Sequence, residues 1–485
     1  MQSLEIVLIV LGSALLTGLL TGRAWPSKWV GVAALLAAST VATQIVCQGY
    51  RWHMVPAYFA IALVLFCSGL GPRVRIVGAV LATLSLSAAF ALATVFPVFR
   101  LPAPTGRYPV GTLTFTLIDS GRLEAAGQDE LRPRELPVQL FYPAQSEPRG
   151  HRAFYMPRAE TTQLKPQVSL ARVSAVVNAQ LASHEHNYPL LIYSPSWGGN
   201  RHENTNLMED LASHGYIVAC LDVPGETMAT VFPNGRIVRT RNDPWLDFSS
   251  QQQFERTRSV VNRHLGIRVA DVRFVLDQLA WLDIQDSSGK FYQRIDLNRV
   301  GVLGFSFGGS TAAQACRLDP RFKAGANLDG FSFGLQSDDE IPCPFLIVGS
   351  GGATQTPASL SSLPLTPYDK MCANDEARAD KSIQFYGGYI LNVRGAAHTN
   401  FTDQPLYCRL RRYSGAGSID PKRAMFITRT YVRTFFDREL RALPETLLDG
   451  PSSLFPEVSV LSTREAVTGS VARHVTAKHR TPART

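Results

Sequence analysis

The sequence predicts an α/β protein, a doubly wound and mostly parallel sheet, preceded by about four apolar helices that cross a membrane. Three observations predict this. The first hundred residues hold four apolar runs near spanning length. From about residue 105, short apolar runs alternate with helical patterns, as they do where crossover helices join parallel strands. One of those strands runs into a Gly-x-Ser-x-Gly turn, and a helix of small residues leaves it.

The apolar runs lie at roughly 4–22, 29–50, 54–71 and 76–98, and Glu5 is the one acidic residue within them. A cleaved signal peptide would explain only the first run, which lacks the basic start of such a peptide. Four nearly uniform apolar runs do not suit the amphipathic helices of a soluble core. Arg23 and Lys28 follow the first run, Arg73 and Arg75 the third, and only Arg51 the second. Basic loops stay in the cytoplasm, so both termini and everything after residue 100 are expected outside. In that oxidising setting Cys372 and Cys408 are a candidate disulfide pair.

The chain has 485 residues and divides into a membrane region at 1–100, an α/β domain at 101–460 and a tail at 461–485. Its net charge is +9, and the tail holds Arg464, Arg473, Lys478, Arg480 and Arg484 against Glu465 alone. Such a tail reads as a solvated end. No zinc-finger spacing, basic helix with interleaved aromatics or RNP-like strand argues for nucleic acid. Seven scattered cysteines without a C-x-x-C pair favour neither a disulfide-built fold nor a metal site.

In the α/β domain, Thr112–Ile118 and Pro137–Tyr142 read as early strands. Pro189–Ser194, Tyr216–Val223, Val300–Leu303, Ala324–Leu328, Pro344–Val348 and Tyr389–Val393 continue the series. Leu265, Val269, Val272, Leu276, Leu279 and Leu282 fall on one face of a helix over about 260–282. Residues 225–260 fit no regular element and read as a loop or lid.

The Gly304-Phe305-Ser306-Phe307-Gly308 turn has the context of a nucleophile elbow, with an apolar strand before it and a small-residue helix after it. A serine hydroxyl needs a base, and His398 is the histidine that follows Ser306 within the domain. The acid is expected after Val348 in many α/β-hydrolases, but that segment reads Gly349-Ser350-Gly351-Gly352-Ala353 and holds no carboxylate. Asp329, at the end of the previous strand, takes the role by position, and Asp403 is the rival, better placed as a helix N-cap. The tetrahedral oxyanion needs two N–H donors. The Phe307 amide is one, and the Trp197 amide, in the turn after Pro189–Ser194, is the other. This chemistry calls for no metal or organic cofactor.

Together these residues resemble the platelet-activating-factor acetylhydrolase family, type II, over roughly residues 102–460. The resemblance lies in Leu101-Pro102-Ala103-Pro104-Thr105-Gly106, Pro137-Val138-Gln139-Leu140-Phe141-Tyr142, Ser213-His214-Gly215-Tyr216, Val302 through Gly309, Asp329, and His398 through Asp403. The family's spacing of acid from nucleophile matches that of Asp329 from Ser306. It implies an α/β-hydrolase fold and a serine esterase acting on short acyl chains of a phospholipid-like or other small amphipathic ester. Two positions depart from the family. Phe305 stands where histidine is frequent, and Ser194-Pro195-Ser196 replaces a serine-histidine-glycine turn, a change shared with cutinases and polyester hydrolases. The alternatives are therefore a general carboxylesterase or cutinase-like polyester hydrolase and, in another class, a catalytically silent membrane-anchored binding or sensor domain.

Overall fold

The computed structural model describes residues 2–21, 27–125, 131–163, 170–232, 234–240, 249–331, 339–351 and 367–461, together with 168, 247 and 334. Residues 22–26 with Arg23, the side chain of Cys372 and the basic residues from 462 onward lie outside the described residues. By its internal contacts the chain forms two units. One contains residues 1–100 with Phe154–Arg172 and Pro405–Ser414, and the other contains the remainder.

In the first unit, α1 (Ser3–Leu20), α2 (Ser27–Gln48), α3 (Val55–Cys67) and α4 (Pro72–Val95) open the chain. Among the described residues three helices, not four, are long and apolar enough to cross a membrane: α1, α2 and α4. The third predicted run yields a helix of 13 residues, about 20 Å at 1.5 Å per residue against a hydrocarbon core of about 30 Å. Composition explains the shortfall. The run counts as apolar through Ser68-Gly69-Leu70-Gly71, but two glycines ahead of Pro72 end one helix and start the next.

Polar contacts fix how these helices run. At one end, the Arg51 guanidinium donates to Glu5 Oε1 at 3.1 and 2.8 Å, and His53 Nε2 lies 3.0 Å from the same oxygen. All three side chains are buried. At the other end, Arg75 Nη2 donates to the Leu19 carbonyl at 2.9 Å. Helix α3 therefore carries the chain from the Glu5 end to the Leu19 end. Helix α4 brings it back, and Phe96 meets Trp52 with ring centroids 5.2 Å apart. In the later segments of this unit, the Tyr155 and Tyr407 hydroxyls lie 2.7 Å apart beside Phe99.

The second unit is built on a sheet. Its strands are β1 (Val110–Ala125), β2 (Leu131–Pro143), β3 (Arg152–Phe154), β4 (Arg172–Val177), β5 (Tyr188–Ser194), β6 (Ile217–Leu221), β9 (Ile295–Phe305), β10 (Phe322–Leu328), β11 (Phe345–Gly351), β12 (Gly388–Arg394) and β13 (Val458–Leu461); β7 (Ala229–Val231) and β8 (Ile237–Arg239) form a separate hairpin. The order is β13-β12-β11-β10-β9-β5-β6-β2-β1-β4-β3. Strands β12, β11, β10, β9, β5 and β6 are mutually parallel, with antiparallel neighbours toward both edges. Helices α7 (Gln251–Gln285), α8 (Phe307–Leu318) and α9 (Pro367–Tyr386) pack together, while α6 (Thr205–Ser213) packs with α11 (Pro421–Arg441). The short helices α5 (Arg158–Gln163) and α10 (Arg411–Ser414) belong to the first unit. The strands Leu190–Ile192, Ile217–Leu221 and Val300–Leu303 are fully buried, as parallel strands covered on both faces must be.

Two regional expectations change. Residues 225–260 are not irregular throughout, since the β7–β8 hairpin occupies part of them and α7 begins at Gln251. Helix α7 starts earlier than the apolar stripe indicates because its first turns, Gln251-Gln252-Gln253-Phe254-Glu255-Arg256, are largely polar. The Ser250 hydroxyl caps it, accepting from the Gln253 N–H at 3.2 Å.

Candidate active site

The central strand β9 ends in Phe305, and α8 begins at Phe307, so one residue makes the whole reversal. That residue, Ser306, has φ +56° and ψ −118°, a conformation that L-residues adopt only where surrounding structure imposes it. The imposing structure is close backbone. A Cβ on Gly304 would lie 2.1 Å from the Gly308 carbonyl, and one on Gly308 would lie 2.0 Å from the Ser194 carbonyl. Both positions therefore exclude any side chain. The Ser306 N–H donates to Leu328 O at 2.8 Å, tying the turn to the neighbouring strand β10.

At the end of β10, Asp329 is also left-handed, with φ +52°. Its N–H donates to Val348 O at 2.7 Å, and its Oδ1 accepts from the Ser350 N–H at 2.7 Å. The carboxylate thus reaches across the end of β11, the strand whose own sequence lacks an acid. Asn327 ties off the turn through both of its amide atoms to Gly330, at 2.8 and 2.9 Å. After β12, His398 opens a single 3-10 turn, His398–Phe401. Buried Asn400 steadies it, its Oδ1 accepting from the N–H groups of Ala397 (2.9 Å) and Gly417 (2.7 Å).

The three predicted side chains meet. His398 Nδ1 lies 2.6 Å from Asp329 Oδ2, and His398 Nε2 lies 3.0 Å from Ser306 Oγ. A carboxylate only accepts, so Nδ1 carries the proton and Nε2 offers its lone pair to the serine hydroxyl. Asp329 is buried while His398 is half exposed, which leaves the imidazole open to solvent and shields the carboxylate. The Phe305 ring leans on the imidazole, with centroids 4.6 Å apart. The rival Asp403 is committed elsewhere, with its Oδ2 accepting from the Asn206 N–H at 3.2 Å.

Phe307 begins α8, so its N–H sits at the positive helix end beside Ser306. Trp197 lies in the turn after β5. Its N–H makes no hydrogen bond among the described residues, and its ring packs on Phe307 and His264 at 5.1 and 4.6 Å.

Sequence reasoning missed the groups that brace this turn. Glu203 accepts from Tyr193 Oη (2.7 Å), Ser196 N–H (2.6 Å) and Ser196 Oγ (2.7 Å). Burial pushes its carboxyl above the usual range despite these donors. From α7, Arg268 donates to Pro195 O (2.6 Å), Ser196 O (3.1 Å) and Glu226 Oε2 (2.6 Å). Glu226 also meets His264 Nδ1 at 2.7 Å. Burial alone would raise the Glu226 carboxyl, but Arg268 and His264 outweigh it and hold it below the usual range. Among the described residues no group of three or more His, Cys, Asp or Glu is arranged to hold a metal.

Residues 93–445 match the family described as platelet-activating factor acetylhydrolase, isoform II. A probable 1-alkyl-2-acetylglycerophosphocholine esterase of Arthroderma benhamiae is 26% identical over 407 residues, spanning 75% of this chain and 94% of that one. The platelet-activating factor acetylhydrolase of Cavia porcellus is 27% identical over 338 residues, spanning 64% of this chain and 72% of its own. The solved ferulic acid esterase of Streptomyces cinnamoneus superimposes with a TM-score of 0.59 at 31% identity, covering 76% of this chain and all of that one. With its α/β-hydrolase sheet and these relatives, the chain is a carboxylic ester hydrolase and belongs to the platelet-activating factor acetylhydrolase isoform II family.

Proposed function

We propose that Ser306, His398 and Asp329 form a catalytic triad that cleaves short acyl esters of a phospholipid-like amphiphile through an acyl-enzyme. The observation that carries this is the single imidazole bridging Ser306 Oγ and Asp329 Oδ2 at 3.0 and 2.6 Å. His398 Nε2 takes the hydroxyl proton as Oγ attacks the ester carbonyl. Asp329 holds the tautomer and stabilises the imidazolium. The carbonyl oxygen, now anionic, accepts from the N–H groups of Phe307 and Trp197. His398 returns the proton to the departing alcohol, then deprotonates the water that releases the acyl group. No step calls for a metal or organic cofactor. Residues 101–460 form the catalytic domain on this reading. The N-terminal helices hold it to a membrane, with residues after Arg100 on the extracytoplasmic side.

The substrate class comes from the relatives, two of which are named for acetylated alkyl glycerophospholipids or platelet-activating factor. A broader carboxylesterase is the second reading, favoured by 31% identity to a ferulic acid esterase and by Phe305 beside the base. Rates on a 2-acetyl phospholipid and on aryl and alkyl acetates decide between them, a phospholipid preference of tenfold or more, about 1.4 kcal/mol, being expected. Ser306→Ala is expected to abolish p-nitrophenyl acetate turnover and fluorophosphonate labelling, and an equally active variant would sink the triad assignment.

A further inference from the structure

We infer that Arg268, clamped by Glu226, is a positioning residue that aims the Trp197 N–H at the oxyanion. This rests on the reading of Ser306 as nucleophile. A trans peptide unit is planar. The Ser196 carbonyl and the Trp197 N–H belong to one peptide unit, so they point in opposite directions. Arg268 Nη2 holds that carbonyl at 3.1 Å, which fixes where the N–H points. The preceding unit is held at both ends, its Pro195 carbonyl by Arg268 Nη1 at 2.6 Å and its Ser196 N–H by Glu203 at 2.6 Å. Two successive peptides of the turn are therefore set by one guanidinium, and the Trp197 N–H is left without an acceptor among the described residues.

The guanidinium itself cannot drift. It is buried, its carbon lies 4.8 Å from the centre of the Phe307 ring, and its Nε donates to Glu226 at 2.6 Å. Glu226 joins Arg268 to His264 one helical turn earlier, and the His264 ring lies against Trp197. The same cluster thus touches the residues of both proposed oxyanion donors, Phe307 through Arg268 and Trp197 through His264. A planar fork can serve two carbonyls and a carboxylate at once, which a lysine ammonium cannot do with the same geometry.

The experiment uses the full chain in detergent. Losing one oxyanion donor costs on the order of 10² to 10³ in kcat, so Arg268→Met is expected to lower kcat on p-nitrophenyl acetate by about that factor while KM moves less than about threefold. A trifluoromethyl ketone, which forms an anionic hemiketal on Ser306, is expected to lose affinity by the same factor. The methyl ketone of the same shape, which stays neutral, is expected to keep its affinity. If Arg268→Met does not fold, the isosteric Glu226→Gln takes its place, with a kcat loss of about tenfold in the same pattern. A folded variant with kcat within about threefold of the parent, or an equal loss on both ketones, overturns the inference. Fluorophosphonate labelling of Ser306 in the parent protein tests the nucleophile separately, so a failure there falls on the site reading and not on Arg268.

Discussion

At the scale of single residues, Asp329 sits in a left-handed turn with one carboxylate oxygen on His398 and the other on the Ser350 N–H. Both contacts need an acceptor. Asn at this position can keep one of them, and the amide it turns toward Nδ1 would leave the imidazole in the wrong tautomer. Asp329→Asn is therefore expected to keep the fold, with an unchanged near-UV spectrum, and to lower kcat by about 10³ to 10⁴; a loss under tenfold would return the acid role to another carboxylate. Ser306 was legible in the sequence because the elbow is a local constraint, whereas His398 was legible from chain order and Asp329 from the strand it follows and the family's spacing. Gly304 and Gly308 must be glycine for contacts made within four residues and against one neighbouring strand. Arg268 and Glu226 were not legible. They are partners across 42 positions, and Arg268 reaches back 73 positions to Pro195. An arginine at a polar point of an amphipathic helix looks in sequence like any solvated one.

At the scale of elements, most strands were legible because each buried parallel strand is a short apolar run. The ends were not, since a polar helix start such as Gln251–Arg256 depends on its cap and not on an apolar stripe. Helix α6 shows a device that periodicity does not reveal at all. All of its residues are buried, including Glu209, whose Oε1 accepts from the Ala175 N–H of β4 at 2.6 Å while Oε2 is buried without a hydrogen-bond partner among the described residues. Burial pushes this carboxyl up to about 8, against the backbone donors Ala175 and Ser174 and the charge of Arg152, with Asp210 adding to the rise. The folded chain therefore keeps a proton that the unfolded chain releases from about pH 4.5 upward. Between about pH 4.5 and 8 the native state binds more protons, so stability from this group falls as pH rises, by up to about 1.4 kcal/mol per pH unit. Above about pH 8 the loss is complete. Glu209→Gln is expected to remove this slope in urea titrations at pH 5, 6.5 and 8; parallel slopes for parent and variant would show that the group is already ionised in the fold.

At the scale of the whole molecule, the short α3 sets the membrane region apart from a bundle of four equal spans. Apolar runs alone make each connection a loop between equal spans, yet among the described residues only α1, α2 and α4 are both long and apolar enough to span. Contacts supply what length does not. Arg51 on Glu5 and Arg75 on Leu19 place the two connections at opposite ends of the bundle, and Phe96 on Trp52 returns α4 to the Arg51 end. Lys28, Arg73 and Arg75 then gather at one end. At the other, the charge of Arg51 is matched by Glu5, leaving Arg100 at the exit. Basic residues hold their end in the cytoplasm, and on that rule we propose that the exit after α4 faces outward and takes the esterase with it. A C-terminal alkaline phosphatase fusion to the full chain is expected to be active and a green fluorescent protein fusion dark. Replacing Arg73 and Arg75 by glutamate, which strips the retained end of most of its charge, is expected to lower the phosphatase signal severalfold, since each charge near the surface is worth about 1 kcal/mol. A bright fluorescent fusion with a silent phosphatase would place the catalytic domain in the cytoplasm. It would leave the proposed triad untouched, because that geometry is built entirely within the second unit.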